Sequence, residues 1–128
     1  MVGACFDVHR ELKWVLYERA YKLALVHALT KRGHKAIPEA PVDIFFQGER
    51  IPSGLYADIL VDDRFIIEIK AVDEIKPEHH FQLNTYMLLT KVPLGLLVNF
   101  HARDLRKNGI FRKNLKEIQE YYQLPTDR

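Results

Sequence analysis

A chain of 128 residues matches one domain that buries most of its apolar surface on folding, so a single domain over residues 1–128 is expected. Hydrophobic residues at 48% and charged residues at 28% exclude a fibrous, disordered or disulfide-rich chain. A net charge of +2 permits a nucleic-acid partner without demanding one.

The opening residues, Met1 to Asp7, carry neither the basic start nor the apolar stretch of a secretory signal, so export is not expected. Cys5 is the only cysteine and cannot form an internal disulfide, which fits a reducing cytoplasm. The apolar runs are strand-sized, so no membrane partner is expected. Asp7 can cap a helix starting near Val8. The stretch to Arg32 lacks Gly and Pro and places Leu12, Val15, Leu16, Ala20, Leu23, Ala24 and Ala28 at helical spacings. One long N-terminal helix is predicted, ended by Gly33, with a break inside it left open.

Pro38 and Pro41 lead into a β-rich run, Val42 to Phe46, that stops at the Gln47-Gly48 turn. Runs from Leu55 to Val61 and from Arg64 to Val72, separated by Asp62-Asp63, complete a three-stranded antiparallel meander. Pro77 and Glu78 suit the first turn of a helix predicted through Thr90. The almost unbroken apolar run from Leu94 to Phe100 predicts a strand buried on both faces. A basic loop at Arg103 to Lys107, an edge strand at Gly109 to Phe111 and a closing helix from Leu115 to Tyr122 follow. The predicted class is α/β.

In the third strand Arg64, Ile66, Glu68 and Lys70 share one face. The hairpin lets the Asp58 carboxylate approach Glu68. Carboxylates that close repel unless a cation lies between them, and hard oxygen ligands suit Mg²⁺. Alternation alone equally describes Glu68 and Lys70 as the solvent face of an amphipathic strand. Gln82 and Tyr86, four apart on one helical face, either reach the site or pack helix against sheet. Glu18, beside Arg19 and Lys22, either joins the site or makes helix-surface ion pairs. His79 and His80 are helical neighbours that point apart, so no shared zinc site is expected. Lys31, Arg32, Lys35, Arg103, Arg106, Lys107, Arg112 and Lys113 can meet a phosphate backbone or remain solvated surface charge.

Ala57-Asp58-Ile59-Leu60-Val61 followed by Ile66-Ile67-Glu68-Ile69-Lys70-Ala71-Val72 resembles the central hairpin of the GxxExxY family, a branch of the PD-(D/E)XK nuclease superfamily. Glu18-Arg19-Ala20-Tyr21 resembles the ExxY of that family's name. Gln82, Tyr86 and the run from Leu94 to Phe100 extend the likeness over about residues 11 to 112. The chain departs at Lys13-Trp14-Val15, where the family's glycine is missing. The resemblance implies a restriction-endonuclease-like core and metal-dependent hydrolysis of nucleic-acid phosphodiester bonds, with DNA the expected substrate. It implies Mg²⁺ or Mn²⁺ held by Asp58, Glu68, the Ile69 carbonyl and Glu18, with Lys70 beside the attacking water and Gln82 as an auxiliary. The alternative is a catalytically inactive nuclease-fold module for binding or assembly. A domain this short would gain contact area as a homodimer.

Overall fold

In the computed structural model, which describes residues 1–125, β1 (Ala36–Phe46), β2 (Glu49–Val61) and β3 (Phe65–Lys70) form an antiparallel meander. Both hairpin turns take left-handed backbone at their centres, Gln47 and Gly48 in the first, Asp62 and Asp63 in the second. That conformation matches the twist of the strands it joins. The second turn is held from outside, because the Asp62 carboxylate accepts from the Lys35 N–H at 2.9 Å and pairs with His34 at 2.7 Å. These partners hold the Asp62 carboxyl below its ordinary range.

Helix α3 (Pro77–Thr90) carries the chain from β3 to β4 (Leu94–Asn99), which runs parallel to β3, and β5 (Ile110–Asn114) closes the sheet antiparallel to β4. The five strands lie in sequence order, β1-β2-β3-β4-β5. Apolar residues on both faces of β3 and β4 require cover on both sides. Tyr21, Leu25, Leu29, Ile67, Ile69 and Val98 form one core, and Ile66, Leu83, Met87, Leu97 and Ile118 the other. Gly95 permits the close approach of α3, since a Cβ there would lie 2.6 Å from the Met87 sulfur.

The single long N-terminal helix is not formed. The chain makes α1 (Val2–Leu12) and α2 (Glu18–Lys31) instead. At the break Lys13 takes φ 63, and the Tyr21 hydroxyl donates to the Lys13 carbonyl at 2.7 Å while accepting from the Leu16 N–H at 3.0 Å. Tyr21 also stacks on Phe100 with ring centroids 4.7 Å apart, so the break is pinned to the sheet. Asp7 is not a cap. It lies inside α1, and hydrogen bonds from Arg32 and then Arg10 hold its carboxyl below the usual range.

Strand β1 starts at Ala36, six residues before the predicted Val42, and takes in Pro38 and Pro41, which an edge strand tolerates. The predicted basic loop contains α4 (Leu105–Asn108), capped by the Asp104 carboxylate accepting from the Arg106 and Lys107 N–H groups. Helix α5 (Leu115–Tyr121) follows β5. Cys5 is buried in the α1–α2 core, and burial pushes its thiol up to about 12.

Tyr21→Phe keeps the ring stack and removes both hydroxyl bonds at the break. Its expected cost is about 1–3 kcal/mol of stability by denaturant unfolding. A cost near zero would show that the hydroxyl does not hold the break.

Candidate active site

Strands β2 and β3 pair at Val61↔Phe65, Leu60↔Ile66 and Ile59↔Ile67, and the ladder stops there. One residue further, side chains take over from backbone. The Asp58 N–H donates to Glu68 Oε2 at 2.7 Å, and the Ile69 N–H donates to Asp58 Oδ2 at 2.8 Å. Each carboxylate thus satisfies the backbone donor that the other strand would have left unpaired, and the strands fork around the pair.

At the fork β2 changes the face it presents while its register with β1 stays unbroken. Ala57 belongs to the core under α3 and Ile59 to the core under α1 and α2, although they are two residues apart in one strand. Across the ribbon, the register Pro38↔Ile59 and Ala40↔Ala57 sets Glu39 opposite Asp58, and Glu39 takes φ 52. A non-glycine residue in left-handed backbone inside a strand costs on the order of 1–3 kcal/mol and marks a functional constraint more often than a random position does.

Cations flank the carboxylates on two sides. From α2, the Lys22 ammonium donates to Glu39 at 3.2 Å and lies 3.7 Å from Asp58 Oδ1. From β3, Lys70 Nζ donates to Gln82 Oε1 at 2.8 Å, and Gln82 Nε2 donates to the Tyr86 hydroxyl at 3.2 Å. Gln82 therefore has a partner at each end of its amide, and α3 fixes the reach of Lys70.

Glu68 is 2% exposed. Burial, and then the Asp58 charge beside it, push its carboxyl up to about 8, against the pull of the Asp58 N–H and of Lys70 and Lys22. Burial also pushes the Tyr86 hydroxyl up, a rise that the Gln82 hydrogen bond opposes and the Glu68 and Asp58 charges reinforce. The three groups share one low-dielectric corner.

Of the residues singled out in the sequence, the fold brings Asp58, Glu68, Ile69, Lys70, Gln82 and Tyr86 together. Glu18 is exposed in the first turn of α2 and makes no hydrogen bond or ion pair among the described residues. Lys22, four residues later, pairs with Glu39 and Asp58 rather than with Glu18. Glu39 was not identified from sequence, because the strand was expected to begin after it. His79 serves the start of α3, where its Nδ1 accepts from the Lys76 N–H at 2.9 Å.

The donor set fits a hard divalent cation. Asp58 and Glu68 each spend one oxygen on backbone, leaving Asp58 Oδ1 and Glu68 Oε1 over. In an extended strand a residue's N–H and C=O point to the same side, so the Ile69 carbonyl faces Asp58 as its N–H does. No three His, Cys, Asp or Glu side chains converge on a common point among the described residues. A cation here would draw on two carboxylates, a carbonyl and water, an all-oxygen set.

A meander leading through a crossover helix into a parallel strand, with an aspartate and a Glu-x-Lys on a forked strand pair, defines a restriction-endonuclease-like α/β fold. The family model of the PD-(D/E)XK nuclease superfamily matches residues 1–113, and the chain belongs to that superfamily. Its nucleases generally use divalent metals. No curated protein and no solved structure matched the chain. No helix among the described residues is long and apolar enough to cross a membrane.

Metal-free Glu68 binds its proton more tightly in the folded chain than at its ordinary value of 4.5. Its contribution to stability is therefore full below about 4.5, declines as pH rises and is lost through about 8. In EDTA, Glu68→Gln, which keeps an acceptor for the Asp58 N–H, is expected to flatten the fall of Tm across this window and to exceed wild type at the alkaline end. Parallel curves would show that Glu68 titrates normally.

Proposed function

We propose that this chain is a metal-dependent nuclease that hydrolyses phosphodiester bonds of DNA with Mg²⁺ or Mn²⁺ at Asp58 and Glu68. The observation that carries this reading is the reciprocal bonding of Asp58 and Glu68 across the fork, with Lys70 fixed beside them by Gln82. Bound there with the Ile69 carbonyl, the ion supplies charge to offset the phosphate and a water acidified toward neutrality.

The remaining work belongs to the chain's own groups. Lys70 holds the attacking water by its ammonium and meets the negative charge that builds on the nonbridging phosphate oxygens as the water oxygen bonds to phosphorus; the P–O bond to the leaving oxygen then breaks, and that oxygen takes a proton from solvent. Gln82 aims Lys70, and Tyr86 aims Gln82. Glu18 shares its face of α2 with Lys22, which reaches the cluster, and enters the reading as an auxiliary carboxylate acting through water. Every group comes from α2, β2, β3 or α3, so the reading requires no second copy.

One observation favours a catalytically inactive binding or assembly module: Lys22 already sets a positive charge 3.7 Å from Asp58 Oδ1. Labelled single-stranded, double-stranded and branched DNA and RNA, incubated with Mg²⁺ or Mn²⁺, separate the two readings. The nuclease is expected to cut DNA, with Asp58→Ala and Lys70→Ala each losing about a hundredfold or more and Glu18→Ala losing less. No cutting, or equal cutting by the variants, would leave the module.

A further inference from the structure

Asn84 stands about 200° around α3 from Gln82, so it faces away from the carboxylate fork. There a groove of about 760 Å³ lies between α3, β5 and α5. Three rings form a chain along it. Phe81 meets Tyr122 edge-on at 6.5 Å, and Tyr122 meets Tyr121 edge-on at 5.0 Å. Phe81 and Tyr121 remain 60% and 77% exposed. Exposed aromatic faces on this scale call for a partner that stacks.

The charge of the lining is positive. Lys76, Arg112 and Lys113 stand against a single carboxylate, Glu117. Arg112 and Lys113 have no ion-pair partner among the described residues, and partial burial lowers the Lys113 pKa. Asn84 supplies a separate observation. It is 9% exposed and lines the groove, its Nδ2 reaches the Tyr122 hydroxyl at 3.4 Å, and its Oδ1 has no hydrogen-bond partner.

We propose that this groove binds unpaired nucleobases of a single-stranded nucleic acid, with bases stacked on Phe81 and Tyr121 and phosphates on Arg112 and Lys113. Stacking on aromatic faces needs bases freed from a duplex, and the cations track the backbone between them. Part of the groove, including Tyr121 and Tyr122, lies beyond residues 1–113, the segment the superfamily model matches. The choice of a nucleic acid as ligand rests on the nuclease reading, while the stacking geometry does not.

The test is fluorescence anisotropy in EDTA with fluorescein-labelled strands of about 12 nucleotides: oligo-dC, oligo-dT, and an abasic strand of equal charge. Oligo-dC is expected to bind at least about tenfold tighter than the abasic strand. Phe81→Ala and Tyr121→Ala should each weaken it about fivefold or more with Tm unchanged. Equal binding of the abasic strand and oligo-dC by wild type would overturn the proposal, as would wild-type affinity in the double variant Phe81→Ala/Tyr121→Ala. Base-dependent binding with no cleavage of any substrate would uphold the groove and remove only the hydrolase. Cleavage without base-dependent binding would remove only the groove.

Discussion

The exchange between Asp58 and Glu68 is the constraint on which the rest of the site depends. An antiparallel pair that simply ended at Ile59↔Ile67 would leave backbone donors facing a gap, and a buried unpaired N–H is expensive. Two carboxylates resolve this by each taking the donor on the opposite strand. The strands can then diverge without loss of hydrogen bonding. The same solution places a buried acid, Glu68, beside a half-buried one, Asp58. Structural need and chemical opportunity therefore come from one pair of bonds.

That placement has an electrostatic cost, and the neighbouring elements are arranged around it. Burial and the Asp58 charge raise Glu68, so in the absence of a cation the pair holds a proton near neutrality. Lys22 from α2 and Lys70 from β3 offset part of the repulsion from two directions. They are not equivalent. Lys22 is paired to Glu39 and Asp58, whereas Lys70 is held by a neutral amide that keeps its charge uncommitted. An ammonium held in place without a carboxylate partner is the one able to act on a substrate phosphate.

The sheet and α3 were legible because their signals are local. Pro77 opens α3 at the predicted residue, and the apolar run at Leu94 gives β4. Strand alternation and one short turn allow Asp58, Glu68 and Lys70 to meet but equally describe a solvent face, and the likeness to the PD-(D/E)XK hairpin is what singled them out. A break between α1 and α2 could be allowed for but not placed, because Leu12, Leu16, Ala24 and Ala28 pack on one core and the apolar spacing runs through the interruption. Tyr21 pins the break through its hydroxyl bond to Lys13, eight residues back, and through its stack on Phe100, a partner that no short window of sequence contains. Glu39 was missed for a related reason. Its place opposite Asp58 follows from the β1–β2 register, and β1 extends through two prolines that read as a strand boundary.

Helix α3 has two polar surfaces for a reason that lies in its composition. A helix buried on one side needs a single apolar stripe, yet α3 carries Leu83 and Met87 toward the core, Gln82 and Tyr86 toward the fork, and Phe81 and Asn84 toward the groove. Its apolar residues consequently do not gather on one face, and amphipathic periodicity alone gives a weak account of it. Three separate obligations on one helix leave little freedom for its rotation. A turn that improved the stacking faces would withdraw Gln82 from Lys70. The rigidity required for aiming an ammonium at the fork is thus supplied by the same packing that fixes Phe81 at the groove.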